Sequence, residues 1–482
     1  MENTMGINKR IAVLGAGISG LASAWYLHKL APECKLDVYE ARDRVGGVIR
    51  TIESDHFQIE QGVDNFITTV PWGLDLCRDL DLISDVVPTN NRYRRTFVVR
   101  KKKLYPLPDG FLMMAPTRLV PLALTPLLSP FGKLRAGLEL FLPRRPVDRD
   151  ESMSEFVIRR LGREVYDRIV EPLVSGIYAG DARKLSVWAT LPRFPEMEVQ
   201  HRSLILAMRS QLKQARTIKR EEQSGARYSF FVSLKSGLDT LPRTIADKLP
   251  PGSIHLNRKM IKIDHLENGS WSLTDQEGRS EIHDAIITAL PAPANADLFA
   301  ESIPELGDLY RKIELSGVAI ITLAFKNEQI QKPMKGMGFV VPEQEHSPIV
   351  AGSFSSHKYP HRAPEGSTMI RLFTGGARMP DFLRLSDSEM LPIILKELGS
   401  LLSIQGDPEL VDIARWDRTM PQYNKGHLQW LDDLHALEDR FPSLGLAGNA
   451  LDGVGIPNCI KNGKEAAEKI LRAFSPAQKE TR

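Results

Sequence analysis

Residues 9–40 read KRIAVLGAGISGLASAWYLHKLAPECKLDVYE. The apolar run in residues 9–15 predicts a short, buried parallel strand. Three glycines follow it with the spacing Gly-x-Gly-x-x-Gly, and then come a helix-forming stretch and a second short strand that ends at Glu40. Strand, glycine turn, helix and acidic strand end stand in the order of a dinucleotide-binding unit, so the stretch predicts nucleotide binding.

Each residue of this unit has a predicted role. Gly15 permits the tight turn, Gly17 leaves room for a pyrophosphate beside the backbone, and Gly20 lets the helix pack closely on the strand. The start of the helix offers free N–H groups and the positive end of its dipole to the phosphates. Glu40 is predicted to accept hydrogen bonds from ribose hydroxyls, and it would repel the 2′-phosphate of NADP.

The next two segments narrow the choice of cofactor. Residues 41–47, ARDRVGG, place Arg42 and Arg44 beside Gly46 and Gly47, where a basic residue can hold the pyrophosphate, and we assign this contact to Arg42. Taken alone, the segment is equally typical of a charged loop that ends in a Gly–Gly turn. Residues 57–62, FQIEQG, then supply a Glu-x-Gly after a short strand. The complete order resembles the flavin amine oxidase superfamily, and the resemblance implies tightly held FAD rather than exchanging NAD.

The C-terminal segment returns to the same pattern. Residues 444–471, LGLAGNALDGVGIPNCIKNGKEAAEKIL, predict a strand, a glycine loop and a helix. We expect Asn449, Val454, Gly455 and Ile456 to lie near the isoalloxazine ring of the flavin. A C-terminal strand–loop–helix without a ligand is the alternative interpretation.

Composition sets broad limits. The chain has 482 residues, of which 42% are hydrophobic and 26% charged, and this is ordinary for a globular protein of two or three domains. A net charge of +3 does not indicate a nucleic-acid partner. Three scattered cysteines suggest no disulfide framework, and the sequence shows no metal-binding cluster, signal or spanning segment. We therefore expect a cytoplasmic protein without a metal.

The middle of the chain carries two distinctive segments. Residues 92–108 predict a strand pair joined by a basic turn. Residues 109–145 are strongly apolar, but prolines break them into short helices. This stretch fits either a peripheral contact with the inner face of the cell membrane or a helical part of the core.

Several further motifs resemble the protoporphyrinogen/coproporphyrinogen oxidases of heme biosynthesis over nearly the whole chain. The most specific is SGIYAGD, which general amine oxidases lack. The others are YPLPDG (105–110), DES…EF…RRLGRE (150–164), PQYNKGH (421–427) and GNALDGVGIPNCIKNGKEAA (448–467). The resemblance implies an FAD enzyme that removes six electrons from a porphyrinogen in three steps, with dioxygen as acceptor and hydrogen peroxide as product. Because hydride transfer to a flavin needs a dry, shaped pocket rather than a nucleophile, we assign no catalytic residue.

The remaining site residues follow from this resemblance. It implies that Arg95 pairs with a substrate propionate, with Arg92 and Arg94 as close competitors. It also implies pocket positions for residues of the SGIYAGD motif and a wall from residues 318–341. The predicted substrate contacts are Arg95, Gly176, Ile177, Tyr178 and Phe339, and the predicted adenine contact is Met260.

We predict an α/β fold with a discontinuous, Rossmann-like FAD-binding domain of the GR2 type. This domain comprises residues 1–90, 226–297 and 436–475. Residues 91–225 form a mainly helical subdomain that is either core or membrane-associated, and residues 298–435 form an α/β substrate domain. The sequence leaves open the choice between protoporphyrinogen and coproporphyrinogen and the oligomeric state, with a homodimer as one alternative. Other open interpretations are an amine oxidase, a carotenoid desaturase and a flavoprotein without enzymatic activity.

Overall fold

The computed structural model describes residues 9–145, 149–211 and 230–474, and it builds the first strand into the centre of a parallel sheet. Since these apolar strands are buried by helices on both faces, they need no polar alternation. The predicted α/β class and the discontinuous Rossmann-like sheet are confirmed. This nucleotide sheet has five strands, in the spatial order Ile254–His255, Lys35–Tyr39, Arg10–Leu14, Ala285–Thr288 and Leu444–Leu446.

Two apolar layers cover the nucleotide sheet. Successive residues of a strand point to opposite faces, so Ile11 and Val13 enter one layer while Ala12 and Leu14 enter the other. The first layer contains the helices Ile18–Leu30, Trp72–Asp79, Thr240–Lys248 and Ile456–Phe474. The second contains the helices Ala292–Leu298, Pro304–Arg311 and His427–Glu438 and the antiparallel strands Met260–His265 and Trp271–Asp275. The strand Ser280–His283 completes this small three-stranded sheet.

A seven-stranded sheet forms the other large layer. Its spatial order is Leu410–Pro421, Leu315–Lys326, Ser367–Gly375, Ala351–Phe354, Gly338–Val340, Thr96–Arg100 and Lys103–Pro106. The last two strands are the predicted pair from residues 92–108, and they extend a sheet whose other strands come from residues 298–435. The three-part domain division stays a prediction, and its boundary between residues 225 and 226 lies outside the described residues.

Short helices cover one face of this sheet. Ser152 begins the helix Met153–Leu161 with a capping box, in which its side chain and that of Glu155 exchange hydrogen bonds with the backbone. As predicted, the prolines in residues 109–145 break the chain into short helical pieces. The helices are Leu119–Leu124, Pro130–Gly137, Met153–Leu161, Arg163–Val165, Glu171–Tyr178, Val187–Thr190, Arg193–His201 and 204–211, with the 3₁₀ turn Leu138–Phe141 and the π turn Tyr166–Val170.

The opposite face of the seven-stranded sheet packs on the helix Asp387–Leu402. Smaller elements complete the fold: the hairpins Thr51–Ser54/Phe57–Glu60 and Phe111–Leu112/Ala115–Pro116, the strands Phe66–Ile67, Val86–Pro88 and Phe231–Leu234, and the helix Ser355–Lys358. The remaining 3₁₀ turns are Ile83–Asp85, Asn91–Tyr93, Asn327–Gln329, Glu343–Glu345, Pro360–Arg362, Gly376–Arg378 and Pro380–Arg384. Across the parts of the chain that the structure describes, no helix has both the length and the apolar character to cross a membrane.

Candidate FAD site

The glycine turn provides an open cradle beside the first helix. Gly15 has φ +96°, a left-handed conformation that favours glycine, and it makes the tight turn out of the strand. A Cβ on Gly20 would collide with the carbonyl oxygen of Gly15, so only glycine lets the helix lie this close. A Cβ on Gly17 would have no atom within 4 Å. The space beside Gly17, where a pyrophosphate is expected, is therefore open.

Glu40 lies at the edge of this cradle. Its carboxylate is buried and accepts hydrogen bonds from the backbone N–H groups of Ala16 at 2.8 Å and Arg42 at 3.0 Å. The bond from Ala16 joins the end of the second strand to the glycine turn, and the bond from Arg42 fixes the start of the following loop. A carboxylate has about four acceptor positions, so Glu40 keeps capacity for the ribose hydroxyls that the sequence predicts.

The segment ARDRVGG closes over the turn. Gly17 and Gly46 form an isolated parallel bridge, and the Gly46 N–H donates to the Ala16 carbonyl at 2.8 Å. A Cβ on Gly47 would lie 3.2 Å from the Cα of Gly17, so this second loop needs its small residues to approach the first. The two glycine loops form one continuous backbone surface.

Arg44, rather than Arg42, holds this loop in shape. Its guanidinium donates to the carbonyl oxygens of Gly47 at 2.6 Å, Val45 at 3.0 Å and Ile49 at 3.2 Å. The exposed Arg42 side chain makes one longer bond to Gly47 and lies over the ring of Trp416 at 5.9 Å. The Arg-x-Gly-Gly order could have identified Arg44, which sequence reasoning left out of the site.

The C-terminal glycine loop faces the same edge of the nucleotide sheet. Ile456 is buried and begins the long C-terminal helix, while Val454 and Gly455 lie in the loop just before it. Asn449 is fixed at both ends: its side-chain amide donates to the Thr419 carbonyl at 3.1 Å, and its own carbonyl accepts from the Tyr423 hydroxyl at 2.6 Å. A second helix N-terminus therefore lies at the same edge of the parallel sheet as the cradle.

Met260 lies at the beginning of the three-stranded antiparallel sheet. It is buried and belongs to the same apolar layer as Tyr39 and Leu14 of the nucleotide sheet. This places it beside the strand that ends at Glu40. Contact between Met260 and adenine stays a prediction.

Tyr178 connects the SGIYAGD motif to the cofactor loop. Gln422 donates its side-chain amide to the Tyr178 carbonyl at 3.2 Å, while the next residue, Tyr423, bonds Asn449. The Tyr178 hydroxyl donates to the Thr190 carbonyl at 3.2 Å, and burial raises its pKa to about 12. Tyr178 is therefore a neutral, fixed side chain beside the flavin loop.

The other predicted substrate contacts lie in different environments. Ile177 is half exposed, next to Tyr178. A Cβ on Gly176 would make an ordinary contact at 3.4 Å with the Ala351 Cβ, so Gly176 faces the seven-stranded sheet rather than open space. Phe339 is fully buried in the core between that sheet and the helix Asp387–Leu402, which contradicts its predicted place in a pocket wall.

Arg95 lies on the loop that enters the sheet. Its side chain is exposed, and its carbonyl accepts the Met337 N–H at 2.8 Å. Of its competitors, Arg94 bonds the side chain of Asn91 at 2.9 Å and Arg92 is exposed. The arrangement leaves the guanidinium of Arg95 available to an anion.

Together these elements fit a dinucleotide with a flavin. Two helix N-termini, an open glycine cradle and a buried carboxylate lie along one edge of the nucleotide sheet, where such folds bind ligands. The donor groups suit a pyrophosphate and the carboxylate suits a ribose. Contact between the C-terminal glycine loop and the flavin ring stays a prediction.

Comparisons with known proteins agree with this geometry. Residues 18–471 match the family described as flavin containing amine oxidoreductase. The chain is 35% identical to coproporphyrinogen III oxidase of Bacillus subtilis, over 96% of this chain and 98% of the relative. It is 28% identical to protoporphyrinogen oxidase 2 of Arabidopsis thaliana, over 96% and 94% of the two chains.

A solved structure supports the same assignment. A crystal structure of an Exiguobacterium sp. 255-15 protein, provisionally assigned as a protoporphyrinogen oxidase, superimposes with a TM-score of 0.83. The two chains are 29% identical, with 96% of this chain and 98% of the other covered. The family match and the dinucleotide cradle lead to one conclusion: this chain belongs to the flavin-containing amine oxidoreductase family, and its cofactor is FAD.

Proposed function

We propose that this enzyme oxidises a porphyrinogen of heme biosynthesis, with coproporphyrinogen III as the preferred substrate. The observation that carries the proposal is the full-length likeness to a coproporphyrinogen III oxidase. The identity to that relative is 35%, compared with 28% to the Arabidopsis protoporphyrinogen oxidase. The link through residues 422 and 423 supports it, because Gln422 bonds Tyr178 of the SGIYAGD motif and the adjacent Tyr423 bonds Asn449 of the cofactor loop.

The residues around the cofactor loop suit positioning rather than acid–base chemistry. FAD supplies the acceptor for two electrons in each of three steps, and three dioxygen molecules take up the six electrons and six protons as hydrogen peroxide. Burial keeps Tyr178 protonated, and it lowers the pKa of His427, whose Nε2 atom lies 2.9 Å from the Leu451 carbonyl. Both side chains therefore stay neutral beside the loop, and we assign them to shaping a dry pocket.

The substrate assay tests the proposal directly. We expect the purified yellow protein to convert coproporphyrinogen III to coproporphyrin in air, and to convert protoporphyrinogen IX more slowly. The measurement is porphyrin fluorescence against time with each substrate, together with the peroxide formed. If protoporphyrin forms faster, the substrate preference is wrong. If flavin is bound but neither porphyrin forms in air or with an artificial electron acceptor, the assignment to porphyrinogen oxidation fails.

The open space beside Gly17 gives a test of cofactor binding. We expect Gly17→Val to abolish FAD binding, because its branched side chain would fill the space assigned to the pyrophosphate. The measurement is the flavin absorbance per mole of purified protein. Gly137→Ala, at the end of a short helix where φ is −66° and a Cβ meets no atom within 4 Å, is the control and should keep stoichiometric flavin. A Gly17→Val protein with full flavin content would contradict the assignment.

Arg95 is proposed to pair with a propionate of the substrate. An exposed ion pair is worth up to about 1 kcal/mol, so we expect Arg95→Ala to raise KM by about fivefold or less while kcat changes little. Steady-state kinetics with both porphyrinogens is the measurement, and Arg92→Ala, which should leave KM unchanged, distinguishes Arg95 from this competitor. An unchanged KM for both substrates in the Arg95 variant would reject the role.

We further propose that the enzyme is cytoplasmic and contacts the inner face of the cell membrane through residues 109–145. These residues have two faces. Leu122, Leu127 and Ala136 are buried in the core of the helical region. The outer face exposes six large apolar residues, from 46% to 84% of their surface: Val120, Leu124, Phe131, Leu134, Leu138 and Phe141. Six large exposed apolar residues within one short segment favour a docking role, and the exposed Arg118 suits an anionic lipid surface.

Vesicle binding tests this membrane contact. We expect the double variant Leu124→Ser/Phe131→Ser to bind anionic phospholipid vesicles about tenfold or more weakly, since each lost apolar side chain removes about 1.5–3 kcal/mol of burial. Co-sedimentation is the measurement. Ile282→Ser, a substitution of a 58% exposed residue on the small antiparallel sheet, is the control. Equal binding of the double variant and the wild type would exclude this surface.

A further inference from the structure

A buried charge cluster joins the segment 60–64 to the seven-stranded sheet. Arg362 bonds Glu60 at 3.1 Å, and Lys358 and Arg371 contact the Asp64 carboxylate at 3.0 Å and 3.2 Å. Arg362 also donates to the Asp64 carbonyl at 3.1 Å. Three cations and two carboxylates give the cluster a formal charge of +1.

The charged side chains of this cluster are shielded from water. The side chains of Glu60 and Arg362 are fully buried, and that of Arg371 is 1% exposed. Burial lowers the pKa of Lys358 and of Arg371. It would raise the pKa of Asp64, but Lys358, Arg371 and Arg362 outweigh it and hold that pKa below its usual range. Well-packed apolar residues would often be as stable in such a place, so a purely structural role is a poor explanation.

Arg371 also bonds the backbone of the Glu-x-Gly motif. One arm of its guanidinium contacts Asp64, and the other donates to the carbonyl of Gly62. A Cβ on Gly62 would collide with the carbonyl oxygen of Val48, so the two segments touch through their backbones. Arg371 therefore supports the loop that contains Val48.

The loop that contains Val48 also contacts the glycine turn. Val48 follows Gly46 and Gly47, which lie directly against Gly17 through the isolated bridge and the hydrogen bond to the Ala16 carbonyl. One path of backbone contacts thus leads from Arg371 through residues 62 and 48 to the cradle.

We propose that Arg371 is a positioning residue for FAD. Arg371 is held by the buried cluster and fixes Gly62, and Gly62 in turn holds the 46–48 loop against the glycine turn. The proposal rests on the FAD site rather than on the identity of the substrate. Arg371 lies on a strand of the seven-stranded sheet, so the sheet that carries much of the proposed substrate region also sets the shape of the cofactor cradle.

FAD release from diluted holoenzyme tests the proposal, followed as the rise in free flavin fluorescence. A hydrogen bond to a charged group is worth about 1.5–3 kcal/mol, so we expect Arg371→Met to raise the Kd for FAD about tenfold or more. Arg371→Lys keeps a charge for Asp64, but its single ammonium cannot also reach Gly62 in the same fork geometry. It should keep most of the thermal stability and still lose FAD affinity.

Arg160→Met is the matched control. Arg160 is a fully buried arginine paired with Glu139 in the helical region, away from the segment 60–64. Its replacement should lower the Tm while leaving the Kd for FAD unchanged. Wild-type Kd in Arg371→Lys, or a loss of FAD affinity in Arg160→Met that matches its loss of Tm, would overturn the positioning role. Because no porphyrinogen enters this experiment, its failure is distinct from failure of the proposed function.

Discussion

The approach of Gly20 to the carbonyl oxygen of Gly15 is the constraint on which the cofactor site depends. It brings the first helix so close to the first strand that its free N–H groups meet the edge of the sheet. The same principle recurs at the C-terminal helix, where a Cβ on Gly463 would collide with the Ser19 carbonyl. Because each helix follows a parallel strand of the nucleotide sheet, both begin at one edge, although hundreds of residues separate them.

Much of this frame could be predicted from the sequence because its signals are local. The glycine spacing, the acidic end of the second strand and the proline breaks each act within a few residues, and the structure has the corresponding strand, turn and short helices. The sequence pattern also predicted the strand pair in residues 92–108, and the structure contains it. Its place in the seven-stranded sheet was not predicted, because strand pairing with Gly338–Val340 joins segments more than 200 residues apart.

The errors concern what a side chain faces. Phe339 lies on a predicted strand, but which face of the sheet is covered depends on the distant helix Asp387–Leu402, and this helix buries it. Gly176 stands in a motif that suggests a ligand, and a Cβ there would contact Ala351, so its contact with substrate stays a prediction. The cluster around Asp64 was invisible for the same reason, since its three cations come from residues 358–371 and no spacing rule links them to residue 60.

The end of the long strand Leu410–Pro421 shows how the two sides of the site are kept in register. Gln422 holds the carbonyl of Tyr178 on the proposed substrate side, and Tyr423 holds the carbonyl of Asn449 on the cofactor side. The rings of Tyr423 and His427 stack at 4.0 Å, which fixes the direction of the Tyr423 hydroxyl. Because adjacent residues make the two bonds, a shift of this strand end moves both surfaces together. Hydride transfer depends on the separation of the reacting atoms, and a shared support of this kind keeps that separation constant without a catalytic side chain between them.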